Sequence, residues 1–259
     1  MTIEIQSLYR YPIKGLSAEP LQRVSLAAGR CLPHDRRFAL ARASTVIDSA
    51  KPEWLPKIRF FMLMRDERLA LLHTLFDEAT GTVVVEQGGR EVLRACIAEA
   101  DGRKAFEGFF TEFLKDNPDG PPRLVELPGR TFADARPKPN ASTDQYVSLV
   151  NLASVRAFEQ VAKATVDPIR FRANVHFDGV PPWEELEWVG REFRLGSARL
   201  RIVSPIIRCP ATAVNPATAE RDLDIPFILM TNYKHNHMGI YAEVLEGGEF
   251  GVGSELAAV

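Results

Sequence analysis

The chain has 259 residues, 46% of them apolar and 25% charged, with a formal net charge of −2 at pH 7. That length and balance suit one large or two smaller globular domains with a substantial core. The near-neutral charge excludes a general field for nucleic acid or anionic lipid, so any anion site must be a local cluster of Arg and Lys.

From the N-terminus, "TIEIQSLYRYP" alternates apolar and polar residues as a strand does, with Glu4 interrupting any leader-like run. "PLQRVSLAAG" and "RRFALAR" continue the pattern. "RLALLHTLF" and "GTVVVEQGGREVLRACI" predict further strands, with Gly88-Gly89 as a hairpin turn. The apolar run Phe60 to Met64 is far too short to span a bilayer. "RKAFEGFFTEFLKD" sets Phe106, Phe109, Phe110 and Phe113 at helical spacing, which marks a core-facing helix. Asp134 to Tyr146 is polar and proline-containing, a loop or domain boundary. "NLASVRAFEQVAKA" predicts a second helix with Asn151 as its N-cap. "IRFRANVHFDG", "REFRLGSARLRIVSP", "GIYAEVLEGG" and "EFGVGSELAAV" are strand-like and separated by glycine turns. The acidic run Trp183 to Trp188 suggests a solvated loop. The expected fold is mainly β with some helices (α+β), its antiparallel strands closed into barrels. There is no GxGxxG after a strand and no P-loop.

The chemistry-bearing residues are few. Three cysteines, Cys31, Cys96 and Cys209, form no CxxC pair, which points to a reducing, cytoplasmic setting and to no zinc or iron–sulfur site. Cys31 and Cys96 fit the role of small hydrophobes. Cys209 differs, because it lies between Arg208 and Pro210 at the end of an apolar strand-like run. The arginine favours a thiolate, and the proline stops the strand. Lys14, Arg37, Arg172 and Arg208 all follow strand-like segments. Singly each is an ordinary solvated strand-end cation, and spacing does not unite them. His235 and His237 could share a strand face. They lack further ligands at metal spacing, and a place in a substrate pocket near Tyr241 suits them better.

Four motifs, "YPIKGL", "HDRRFAL", "RFRANVHFDG" and "RCPATAVNPATAERD", occur in an order that resembles a MOSC-domain protein. The first two are similar to its N-terminal β-barrel region. The pattern resembles the mitochondrial amidoxime-reducing component and its bacterial relatives over essentially the whole chain. The resemblance implies a barrel-like region over residues 1–130 and a MOSC β-barrel domain with helices over 131–259. It implies a molybdenum cofactor (Mo-molybdopterin) with Cys209 as the metal ligand and Tyr241 near the metal. Lys14, Arg37, Arg172 and Arg208 would hold the phosphate and pterin, together with Asn174, Asn151 and Ser154. The implied activity is an oxidoreductase reducing N-hydroxylated or N-oxygenated small molecules. Its electrons would come from a separate ferredoxin, flavoprotein or haem protein, with no nucleic-acid or membrane partner.

The MOSC domain also resembles the C-terminal part of molybdenum-cofactor sulfurases. That leaves open a sulfur carrier or cofactor-handling protein with a persulfide on Cys209, or a non-catalytic binding module. Sulfurases use pyridoxal phosphate in a separate domain, which has no counterpart here. Four positions depart from the family pattern. Gly15 replaces a hydroxyl residue, Ile207 a small polar one, Asn215 an aspartate and Ala219 a turn glycine.

Overall fold

The computed structural model describes residues 2–48, 53–127 and 129–259. The strands are β1 Glu4–Arg10, β2 Glu19–Leu21, β3 Arg23–Leu26, β4 Phe38–Ala41, β5 Leu72–Asp77, β6 Thr82–Gln87, β7 Arg90–Cys96 and β8 Arg123–Glu126. They continue as β9 Val147–Asn151, β10 Val175–Asp178, β11 Glu192–Leu195, β12 Ala198–Ile207, β13 His237–Glu246, β14 Gly248–Gly251 and β15 Leu256–Ala258. The helices are α1 Ala100–Phe113, α2 Leu152–Ala162 and α3 Ile225–Tyr233.

Eight strands form one curled sheet in the order β15-β11-β12-β13-β9-β10-β1-β2. All its pairs are antiparallel except β9 with β10, which α2 connects as a crossover. The curl brings the first strand to the last. Ile5 N–H donates to Ser254 O at 3.0 Å, and Leu256 N–H donates to Ile3 O at 2.9 Å. Alternating apolar residues line the inside, with Ile5, Leu8, Leu149, Phe177, Leu200, Ile240 and Val244 buried together. The ladder crosses the boundary near residue 130, since β1 and β2 belong to a sheet otherwise built from residues 147–258.

A second core lies under α1. Phe106 and Phe110 are fully buried in one cluster with Phe76, Val83 and Val85 of the β5-β6-β7 sheet and with Phe61 of the preceding loop. Each such aromatic contributes about 1.5–3 kcal/mol by leaving water. The β6–β7 hairpin turns at Gly88 and Gly89, whose φ angles of 57° and 75° are those of a type I′ turn. A third cluster packs α2 and α3 on the outer face of the sheet, around Val150, Phe158, Phe171, Leu229 and Met238.

Several expectations change. "RLALLHTLF" is a 3-10 turn over Glu67–Leu71 before β5 begins. The strands β8 and β9 and the helix α3 went unannounced. "IPFILMTNY" is apolar all round and carries no amphipathic period. The acidic run is no solvated loop: Glu184–Trp188 is a 3-10 turn with Glu185 and Trp188 buried. Among the described residues, no helix is long and apolar enough to cross a membrane.

Candidate functional site

A cavity of about 350 Å³ opens on the outer face of β9, β12 and β13, walled on its other sides by residues 62–64 and 132–138. β12 supplies its central group. The strand ends at Ile207, and Arg208 N–H donates to Asn236 O at 2.8 Å. Cys209 remains extended, with φ −119°, before Pro210 starts a 3-10 turn. The Cys209 carbonyl accepts from Thr212 N–H at 3.0 Å and from Thr212 Oγ1 at 2.9 Å. The strand therefore delivers a half-buried thiol to the cavity wall on a braced backbone.

Arg208 is a buried strut. Its Nε donates to Met238 O at 2.8 Å, Nη2 donates to the same carbonyl, and Nη1 donates to Phe171 O at 2.7 Å. It has no carboxylate partner among the described residues. Burial pulls its pKa down to about 10, which leaves it charged at neutral pH. Gly239 makes room beside it at φ 75°, where a Cβ would lie 2.3 Å from Leu149 O.

Arg172 sits at the end of the 3-10 turn Pro168–Phe171 with φ 50°. Its guanidinium lies 4.4 Å from the Tyr11 ring centre and forms no ion pair among the described residues. Burial lowers its pKa to about 10. Arg36 lies 4.3 Å from the same ring, donating to Asp35 Oδ2 at 2.6 Å and to Arg172 O at 2.7 Å. Tyr11 thus carries two guanidiniums on one neutral phenol, whose pKa burial raises to about 12. Lys14 is buried and donates to Phe132 O at 2.8 Å and to the Asp134 carboxylate. Burial lowers its pKa, and Asp134 opposes that fall.

Asn174 braces the sheet beside these cations. Its Oδ1 accepts from Ser148 N–H at 3.1 Å and Ser148 Oγ at 2.8 Å, and its Nδ2 donates to Tyr9 O at 3.2 Å. Tyr241, opposite Ser148 in the ladder, lines the cavity 5.7 Å from the Tyr146 ring. Burial raises its pKa and keeps the hydroxyl protonated.

The structure therefore brings Cys209, Tyr241, Lys14, Arg172, Asn174 and Arg208 to one cavity. Three expected residues stand elsewhere. Arg37 points away, donating Nε to Glu126 at 2.6 Å and approaching His34 Nδ1 with Nη1 at 3.0 Å. Asn151 caps α2 by accepting from Ala153 N–H at 3.0 Å. Asn151 Nδ2 and Ser154 Oγ both donate to the buried Glu185 carboxylate, at 3.0 and 2.8 Å. The start of α2 thus serves an anion of its own chain. The His235 and His237 rings stack at 5.4 Å beside Trp183 and Tyr233, outside the cavity lining. Among the described residues, no group of three His, Cys, Asp or Glu is placed to hold a metal.

Sequence reading missed Arg36, Tyr11, Lys57, Arg136, Lys138 and Arg170. Eight basic side chains line the cavity against two acids, Asp35 and Asp134. That surplus, with an unpaired Arg172 and one thiol, is a donor set suited to an anionic group bearing a thiophilic metal.

Residues 2–117 match the MOSC N-terminal beta barrel domain, and residues 134–257 match the MOSC domain. The chain is a MOSC-domain protein. Among curated relatives of this MOSC protein is a molybdenum cofactor sulfurase of Drosophila grimshawi, 40% identical over 78 residues, or 29% of this chain and 10% of that protein. That of Drosophila mojavensis is 41% identical over 75 residues, 28% of this chain and 9% of the relative. The chain thus spans about a tenth of the length of these relatives. Among solved structures, the YUAD protein from Bacillus subtilis aligns over 100% of this chain and 96% of its own, with a TM-score of 0.45 and 12% identity. YiiM from Geobacillus stearothermophilus covers 44% of this chain and 53% of its own, with a TM-score of 0.36 and 18% identity.

Proposed function

We propose that the cavity binds a molybdenum–pterin cofactor and that the protein is an oxidoreductase for N-hydroxylated or N-oxygenated small molecules. One observation carries this reading: a single half-buried thiol shares a cavity with a surplus of cations, of which Arg172 and Arg208 have no carboxylate partner among the described residues. Cys209 Sγ would ligate the metal, since thiolate is a soft, strong donor. Arg172 and Arg36 would hold the phosphate, because a planar fork matches its oxygens and the Tyr11 platform fixes both guanidiniums. Lys14 would add a point charge behind them.

When bound, the cofactor supplies the two-electron chemistry that removes oxygen from nitrogen; the protein supplies ligation, orientation and electrostatics. Tyr241 Oη, kept protonated by burial, would offer the substrate a hydrogen-bond donor in the cavity. Met62, Leu63, Met64 and Ile206 offer an apolar wall to the body of the substrate. Electrons would come from a separate carrier protein.

The test is elemental molybdenum and pterin fluorescence on protein made in a cofactor-competent host, with turnover of an N-hydroxylated substrate by a chemical reductant. Stoichiometric molybdenum with turnover supports the reading; protein without molybdenum from such a host overturns it. The sulfurase relatives favour a second reading, in which Cys209 carries sulfur. A persulfide on Cys209 in molybdenum-free protein is its signature.

A further inference from the structure

The motif containing Cys209 ends in Glu220, Arg221 and Asp222, charges with no part in the function above. Residues 210–222 fold back on themselves. Val214 pairs antiparallel with Arg221, and Asn215 N–H donates to Glu220 O at 2.7 Å. The last two side chains then hold different neighbours. Asp222 Oδ2 accepts from Arg170 Nη2 at 2.8 Å. Arg170 lines the cavity and donates its Nη1 to Thr212 O and Ala213 O, at 3.4 and 3.2 Å. Arg221 crosses to the N-terminal half of the chain. Its Nη2 donates to Leu63 O at 3.1 Å, Met64 O at 2.9 Å and the Glu67 carboxylate at 3.0 Å. Its Nη1 returns to Pro210 O at 3.2 Å.

Pro210 directly follows Cys209, and Leu63 and Met64 line the same cavity as the thiol. We propose that Arg221 is a positioning residue for Cys209, latching the cysteine turn to the 63–67 segment and so setting the spacing of two cavity walls. The inference rests on Cys209 being the working thiol. It adds to that reading the residue that holds the thiol's turn in place. The guanidinium suits the task because its rigid fork of donors reaches carbonyls on two chain segments at once. The ion pair with Glu67 is half exposed and worth little alone. What the latch holds is main chain, with the carbonyls of Pro210, Leu63 and Met64 gathered on one side chain. Asp222 and Arg170 hold the same loop through the carbonyls of Thr212 and Ala213.

The test uses cofactor-free protein carrying Cys31→Ser and Cys96→Ser, so that Cys209 is the only thiol. Alkylation rates are measured with iodoacetamide and with the bulkier N-phenylmaleimide. Arg221→Ala raises the rate with the bulky reagent about tenfold, and with the small one less, by opening the turn locally. Its melting temperature stays within about 2 °C of the parent, because the side chain is half exposed. Arg221→Lys, which keeps the charge but loses the fork, falls between them. Rates within about twofold of the parent for both reagents overturn the latch, as does a rise matched by general loss of stability. No molybdenum is needed. Failure here leaves the metal reading standing, and a molybdenum-free protein leaves this result standing.

Discussion

The turn after β12 and the turn before β4 bring charge to the same cavity by different backbone routes. After β12 the chain stays extended, but a register shift between Pro205 and Ile207 interrupts strand alternation, and the consecutive residues Pro205 to Cys209 all line the cavity. Ile207 faces solvent at 67% exposure, Arg208 turns inward, and Cys209 follows at the cavity wall. Before β4, His34 and Arg36 adopt left-handed conformations, with φ 62° and 49°. Alternation belongs to extended backbone and fails there. Asp35 is buried, Arg36 reaches the cavity, and Arg37 swings out to Glu126. A side chain's direction can be counted along a regular strand, and a bulge such as that near the end of β12 resets the count. Through a left-handed turn it is set by the partner it finds.

The first of these turns is broken most sharply by Cys209→Ser. The change is nearly isosteric and leaves the cations in place, so fold and some cofactor retention survive. A neutral hydroxyl is a poor ligand for a soft site, and turnover of an N-hydroxylated substrate falls to near background. Cys31→Ser and Cys96→Ser keep that activity, since neither residue lines the cavity. Wild-type turnover and molybdenum content in Cys209→Ser would remove the thiol from the assignment.

The second turn is sharpened by removing Arg36, which reaches the cavity from it, or Arg172, which shares the Tyr11 ring with Arg36. Arg172→Ala or Arg36→Ala weakens retention of a phosphate-bearing ligand by roughly tenfold or more, the usual worth of a charge-assisted contact. Titration of cofactor-free protein with inorganic pyrophosphate, followed by calorimetry, reads the loss. Wild-type affinity in both variants would mean that the two guanidiniums on Tyr11 do not form the anion site.

Much of the framework was legible because it rests on period. The core phenylalanines of α1, the Asn151 cap of α2 and the Gly88-Gly89 hairpin all follow from local rules and stand where those rules put them. What escaped depended on tertiary partners. Nothing near "WEELEW" announces that Glu185 will be buried; its carboxylate is held by Asn151 and Ser154, more than thirty residues upstream. The resemblance assigned those same two residues to the cofactor, whereas in the structure they hold Glu185. The helix α3 carries no period because one face meets the core while Phe227 and Met230 stay exposed. The cavity cations on the 132–138 segment carry no local pattern at all.

A smaller effect concerns the outer sheet face that bears Asn174. His176, on β10 just after Asn174, is buried with Nδ1 on Ser7 Oγ at 3.1 Å beside the Tyr9 ring, and its Nε2 has no partner among the described residues. Burial, with Arg208 adding to it, lowers its pKa from 6.5 to about 4. The unfolded chain therefore binds the proton first. The contribution is fully present above pH 6.5 and is lost as pH falls towards 4, by about 3 kcal/mol at the limit. Denaturant unfolding at pH 7 and 4.5 compares wild type with His176→Gln. The variant loses less stability on acidification, and parallel losses in the two would clear His176 of the acid sensitivity.

Arg37→Ala has the smallest effect and bears most directly on the comparison between the turns. Arg37 belongs to the same motif as Arg36, but its side chain is 39% exposed and its charge is already met by Glu126 at 2.6 Å. An exposed pair of this kind is worth roughly 0–1 kcal/mol. Glu126 also receives Arg103 Nη2 at 3.3 Å, so removing Arg37 does not strand the carboxylate. The melting temperature should therefore move by only a few degrees, and pyrophosphate affinity should equal that of wild type. Arg36→Ala in the same titration should show the loss. If the two variants weakened binding equally, the left-handed turn would not separate the two arginines in solution, and the cavity would extend to the Arg37 side.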